Sequence, residues 1–137
     1  NRTGREAVSW AKEVEELGAG EILLTSVDRE GTGMGPDMDL IWQVHANTNI
    51  PLVVHGGIGS SKHALSVIKN LPVSGIALAS MLHYHYLKTN RNVDGFEDEG
   101  NIEFLKSNRI YSRVDPMSLA KLKENLFTNN VVCRLTL

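Results

Sequence analysis

The sequence predicts an α/β fold: three short parallel strands with flanking helices. Helix-like and strand-like apolar patterns alternate along the chain, and the strands start near residues 21, 51 and 75, the spacing of βαβ units. Each strand pattern is a nearly continuous apolar run, the mark of a parallel strand buried on both faces. Small, polar or glycine-rich residues follow the carboxyl end of each.

Thr3 and Glu6 fit a capping box, in which hydroxyl and carboxylate satisfy two orphan backbone donors, and Ala7, Ala11, Val14 and Leu17 then recur at helical spacing. Gly18 predicts the stop. Glu21 to Ser26 reads as the first strand, and a loop from Asp28 to Pro36 leads to a helix from about Asp37 with Leu40, Ile41 and Val44 inward. Pro51 to His55 is the second strand. Gly56-Gly57-Ile58-Gly59 turns into a helix opening at Ser60 or Ser61, with Ala64, Leu65 and Ile68 inward, and Gly75 to Ser80 is the third strand. A short helix with Leu82, Tyr86 and Leu87 follows, then a polar insert over residues 88–114. Asp115-Pro116 predicts a further helix, with aspartate as cap and proline at the first position. Met117, Leu119, Leu122 and Leu126 give it an inward face, Asn129-Asn130 end it, and Val131 to Leu137 form an apolar tail expected against the fold or a partner.

Three strands with apolar side chains on both faces cannot shield themselves, whereas eight closed into a ring could. The chain opens at Asn1 in what reads as a loop entering a helix, so residues upstream are expected and 1–137 is read as one partial domain. With 137 residues and 42% hydrophobic content it can hide one modest core. A net charge of -2 from 14 basic and 16 acidic residues provides no field for gathering polyanions, so no nucleic-acid partner is expected. A small phosphorylated ligand is compatible with that charge. The single Cys133 excludes an internal disulfide, and neither a signal sequence nor an apolar run near membrane-spanning length is visible, so a soluble, cytoplasmic protein without a membrane partner is expected.

The stretch Glu21 to Gly35 is the most informative, because a buried strand runs straight into a polar loop containing Gly31, Gly33 and Gly35. Backbone amides there can approach an anion without Cβ interference, and Thr25, Ser26 and Thr32 offer hydroxyls. The spacing is that of neither a dinucleotide-binding motif nor a P-loop, so the run taken singly also reads as a flexible turn. A second pair of segments strengthens the anion reading: His55-Gly56-Gly57-Ile58-Gly59 and Leu78-Ala79-Ser80 end two successive strands, each directly before a helix. Amides of the glycine turn, of Ala79 and of Ser80, with the Ser80 hydroxyl, can converge on one phosphate.

At these residues the sequence resembles a known family. G-A-G-E-I-L-L-T-S-V-D-R-E-G-T followed by glycine is similar to the sixth strand and loop of the cyclase subunit of imidazole glycerol phosphate synthase, and the similarity continues through Pro51 to Gly59 and Gly75 to Ser80. The resemblance implies the C-terminal half of a (β/α)₈ TIM barrel. It implies a lyase (cyclase) that closes an imidazole ring in histidine biosynthesis on a phosphorylated ribulosyl-aminoimidazole, with ammonia from a glutaminase subunit and no cofactor. On this reading Thr25, Ser26, Glu30, Gly31, Gly56, Gly57, Ala79 and Ser80 bind the substrate and its phosphate. Glu21 is the ammonia gate, in a ring of charges at the bottom of the barrel, where a buried carboxylate needs a partner. The family's two catalytic aspartates end strands one and five and fall outside the chain, so no catalytic residue is expected here and the isolated fragment is expected to be inactive. The expected partners are the glutaminase subunit and either the N-terminal half-barrel or a second copy.

Three features depart from the family pattern. Glu30 stands where aspartate is usual, His55 where a small residue is usual, and the insert at 88–114 is long and polar. They motivate an alternative, a paralogue supplying ammonia for sugar amidation in surface-polysaccharide synthesis. No metal is expected: His83 and His85, two apart on a helix, diverge by roughly 200° and cannot share an ion.

Overall fold

The computed structural model describes residues 3–90 and 113–134. Its elements are α1 (Ala7–Glu16), β1 (Ile22–Thr25), α2 (Met38–His45), β2 (Leu52–His55), α3 (Ser61–Asn70), β3 (Gly75–Ile76), α4 (Ser80–Thr89) and α5 (Leu119–Thr128). The strands form one parallel sheet in the order β1-β2-β3. Among the described residues no helix is long and apolar enough to cross a membrane.

Register decides which side chains share a face. Ile22 aligns with Leu52 and Leu24 with Val54, and these four point toward the helices. There Leu52 and Val54 join Ala11 of α1, Ile41 and Val44 of α2 and Val67 of α3 in the first core. The opposite face carries Leu23, Thr25, Val53 and His55, and Leu23 is 61% exposed. The expectation of strands buried on both faces is therefore met on one face only. The helices follow their strands back along a single side, and among the described residues no helix covers the face of Leu23.

A second core joins α3, α4 and α5 through Ile58, Ala64, Met81, Tyr84, Val114, Leu122 and Leu126. Ile76 of β3 touches both cores and links sheet to helices. Several inward assignments change here. In α4 the buried residues are Met81 and Tyr84, while Tyr86 is exposed. The last helix starts at Leu119 with Ser118 as its cap, accepting from Lys121 N at 3.2 Å, rather than at Asp115-Pro116. Asp115 is held elsewhere, since its amide donates to the Gly59 carbonyl at 2.7 Å. With the start moved, Leu119 turns outward and is 49% exposed, and Leu122 and Leu126 carry the buried face. The helix ends as expected, with Asn130 at φ 63 and Val131 N donating to Leu126 O at 3.0 Å.

The first helix also starts differently. Glu6, not Thr3, is the cap: its carboxylate accepts from Val8 N at 3.0 Å and Ser9 N at 2.8 Å. A carboxylate can accept both amides at once, and these bonds, Val8 first, hold the Glu6 carboxyl below its ordinary range. Gly18 ends the helix as expected, with Gly18 N on Glu15 O and Ala19 N on Val14 O.

The third strand is shorter than Gly75 to Ser80 because among the described residues it pairs with β2 alone, and β2 ends at His55. Ala77 N still reaches Val54 O at 2.8 Å, after which the backbone turns into α4. Glu21 lies just before β1 and is exposed, so the desolvation that called for a partner is not imposed within these residues. Most of the expected insert, residues 91–112, lies outside the described residues, but its ends are structured: residues 88–90 continue or cap α4, and Val114 is 6% exposed in the second core. In the tail, Val131 and Cys133 pack on the second core while Val132 is solvent-exposed. Residues 135–137 lie outside the described ones.

The α5 assignment is directly testable. Leu122→Ala is expected to destabilise the chain by about 3 kcal/mol, and Leu119→Ala by less than about 1 kcal/mol. Urea unfolding of the two variants checks this, and a larger loss at Leu119 would restore the earlier helix start.

Candidate anion-binding site

The carboxyl ends of the three strands meet at one cleft. It is lined by Glu30, Gly31 and Gly33 after β1, by His55 to Ile58 after β2, and by Ala77 to Ser80 after β3. Of the residues singled out in the sequence, Glu30, Gly31, Gly56, Gly57, Ala79 and Ser80 are brought together there. Thr25 and Ser26 do not line it.

Backbone packing brings the first two loops into contact. Gly35 N donates to Gly57 O at 2.8 Å, and a Cβ on Gly57 would run into the Gly35 carbonyl oxygen. Gly57 also sits at φ 81, a conformation that L side chains rarely adopt. Glycine is required there twice over. The segment 113–115 closes the third side, since a Cβ on Gly33 or on Gly59 would each stand 2.7 Å from the Arg113 carbonyl oxygen.

Of the hydroxyls expected to face an anion, those of Thr32 and Thr25 have other partners, and Ser26 is buried. Thr32 Oγ1 donates to Arg29 O at 2.7 Å and accepts from Met34 N at 3.2 Å, which folds the loop on itself. Ser26 is buried; its carbonyl accepts from Arg29 N and Glu30 N, and its amide donates to His55 O. Thr25 Oγ1 lies 3.4 Å from His55 Nδ1 on the open face of the sheet. Backbone amides are what the cleft offers instead. Helices α1, α2, α3 and α5 each have a side chain accepting from their first turn, whereas α4, with Ala79 at its cap position, has none. Its first-turn amides open beside Ala79 and Ser80, both in the cleft wall.

Two titratable side chains face each other at the rim. His55 Nδ1 lies 3.3 Å from Glu30 Oε2, so the two residues that depart from the expected pattern form one contact. The sequence picks out each but not their pairing, because they stand 25 positions apart and the β1–β2 register brings them together. Gly33, Ile58 and Leu78 lie in the segments the sequence singled out for an anion and line the cleft with them, whereas Ala77 was read only as part of the third strand. Among the described residues no cluster of three or more His, Cys, Asp or Glu side chains could hold a metal ion. His83 instead meets Tyr84 edge to face, ring centroids 5.5 Å apart.

His63, in the first turn of α3, braces the glycine turn, with Gly59 N donating to its Nδ1 at 3.2 Å. That bond requires Nδ1 to be unprotonated, and burial lowers the His63 pKa from 6.5.

Comparison with known proteins matches this same part of the chain. Residues 1–88 match the family described as "Histidine biosynthesis protein". The chain is 47% identical over 88 residues to the imidazole glycerol phosphate synthase subunit HisF of Methanococcus maripaludis, covering 64% of this chain and 32% of that protein. It is 48% identical over 85 residues to the same subunit of Pyrobaculum aerophilum, covering 62% and 33%. With that of Metallosphaera sedula it shares 42% over 98 residues, covering 72% and 39%. The chain thus spans about a third of the length of the curated relatives it matches. The family fold is a (β/α)₈ barrel, and the three parallel strands with their helices are part of it.

Two outcomes follow. Gly57→Ala is expected to cost at least about 2 kcal/mol, and Gly31→Ala, also at positive φ but with open space around it, about 1 kcal/mol, as read by denaturant unfolding. Equal losses would mean that the Gly35–Gly57 contact is not tight. His63 gives a pH dependence: with its folded pKa below 6.5, the unfolded chain takes up the proton first as pH falls. Its contribution is complete above about pH 6.5 and is lost as pH falls below that value toward the folded pKa. A His63→Gln variant should show a flatter melting-temperature profile over that window, and an unchanged slope would remove His63 as the cause.

Proposed function

Because this chain belongs to the histidine biosynthesis protein family, we propose that it is part of the cyclase subunit of imidazole glycerol phosphate synthase. In this reading the whole barrel closes the imidazole ring of imidazole glycerol phosphate with ammonia released by a glutaminase subunit. The observation that carries the reading is that the family match, residues 1–88, contains every residue lining the cleft. The printed names of the relatives favour it over the sugar-amidating alternative.

The chain's part in that chemistry is binding. Amides at Gly57, Ala79 and Ser80 hold one phosphate of the substrate at the cleft, with Gly31 and Glu30 on the opposite wall, and Thr25 and Ser26 shape the strand end beneath. Fixing one end of an extended substrate orients its reacting carbon for proton transfer by groups elsewhere in the barrel. Glu21 takes the place of the ammonia gate. It precedes the four-residue strand whose other end feeds the cleft, about 13 Å away at strand rise, so the two lie at opposite ends of β1. No cofactor enters.

The barrel reading also assigns the open sheet face. Leu23 and Val53 are apolar and uncovered by helices, and β1 and β3 are edge strands, which attract further strands. The rest of the barrel, or a second copy, covers them. Sedimentation of the isolated chain should show concentration-dependent association, and a cooperatively melting monomer across micromolar concentrations would overturn this.

The functional test joins the chain to the N-terminal part of the Methanococcus maripaludis subunit. The joined protein, given ammonium and the phosphorylated ribulosyl-aminoimidazole, is expected to form imidazole glycerol phosphate, and the chain by itself to show no turnover. A folded joined barrel without product, or turnover by the isolated chain, counts against the proposal.

A further inference from the structure

The cleft is too small for what it is meant to hold. Its enclosed part is about 10 Å³, room for roughly one water molecule. A phosphate with four oxygens cannot lie wholly inside. It has to project into the adjoining cavity of about 570 Å³, which shares Glu30, Gly31 and Ser80 with the cleft and adds Thr32, Met34, Tyr84 and Arg113.

Glu30 and Arg113 are the ionisable acid and base of that wall. Glu30 is engaged with His55 at 3.3 Å, whereas the Arg113 guanidinium makes no ion pair or hydrogen bond with any described residue. Its backbone is firmly placed all the same. Val114 beside it is buried in the second core, Asp115 N is bonded to Gly59 O at 2.7 Å, and the Arg113 carbonyl is pressed against Gly33 and Gly59. A long cationic side chain is thus anchored at its root beside the cleft. Arg113 also lies outside residues 1–88, so the family match does not assign it.

We propose that Arg113 binds the phosphate group seated in this cleft, its planar guanidinium donating to the oxygens that project beyond the backbone amides. This inference rests on the phosphate reading given above and adds to it a side-chain ligand from the part of the chain beyond the family match. Arginine suits the task because its donors are arranged in a fork that matches two oxygens of one phosphate, while a lysine offers a point charge. The pairing of Glu30 with His55 draws the acid toward the imidazole and leaves the arginine as the wall's available charged donor.

The test titrates the full chain with inorganic phosphate, following backbone amide resonances and measuring affinity for Arg113, Arg113→Lys and Arg113→Gln chains. The expected result is a shift of the Gly57, Ala79 and Ser80 amides in all three, with affinity reduced about tenfold in Arg113→Gln and less in Arg113→Lys. Arg113 is exposed, and its close contacts are made by its backbone and its Cβ, which Lys and Gln keep, so melting temperatures should agree among the three. If the unaltered chain shifts those amides and Arg113→Gln binds equally well, the role of Arg113 is overturned and the phosphate cleft stands. If phosphate leaves those amides unmoved in the unaltered chain, the cleft reading falls and Arg113 with it. Should Arg113→Gln melt lower, Arg113→Lys, which keeps the aliphatic stem and the charge, decides: a partial loss of phosphate affinity in a stable Lys chain supports the fork, and full retention of affinity in the Lys chain refutes it.

Discussion

The contact between the loop after β1 and the turn after β2 is made of backbone on backbone. Gly35 N meets Gly57 O, and nothing larger than hydrogen fits on Gly57 facing the Gly35 carbonyl. Because the two loops meet without side chains between them, Glu30 and Gly31 come to lie against His55 and Gly57, and the amides of both loops open on the same space as the uncapped start of α4. A single methyl at this point would separate the loops and open the cleft. The segment at 113–115 uses the same device against Gly33 and Gly59, so three stretches far apart in sequence are locked together by the absence of Cβ atoms.

The sheet explains why the site lies at one end and one side. Leu52 and Val54 are sealed under the helices, while Val53 and His55, one residue along in each case, point the other way. That alternation gives the chain a finished outer wall and an open inner face. Apolar residues on the open face, Leu23 above all, belong to a barrel whose other strands are not among these residues. The cleft itself sits where the strands hand over to helices, which is where barrel enzymes place their chemistry.

Charge at the cleft is arranged in opposition. Glu30 would repel an anion in the cleft, and its Oε2 lies 3.3 Å from His55 Nδ1 at the rim. Thr25 stands on the other side of the same imidazole nitrogen at 3.4 Å, so His55 has two competing partners.

How far the chain could be read in advance depends on the range of the interactions involved. Strand starts, the Gly18 and Asn130 helix ends and the helix openings about Asp37 and at Ser60 or Ser61 are set by residues within four of one another, and the structure has them there, with Asp37 and Ser60 as the caps. The grouping of Glu30, Gly31, Gly57, Ala79 and Ser80 was legible too, because strand ends of a parallel sheet converge by construction. Local signals misled where two caps competed: Glu6 displaced Thr3, and Ser118 displaced Asp115, whose amide was claimed by Gly59. Nothing in the sequence announced that Leu23 would be bare, that His55 would meet Glu30, or that Arg113 would return to the cleft. The sequence by itself determined the order of elements and the chemistry available at each strand end, since these follow from apolar period and backbone freedom. Tertiary structure decided which of those groups touch, because register across the sheet and the close approach of glycine backbones act between residues tens of positions apart, where no local pattern reaches.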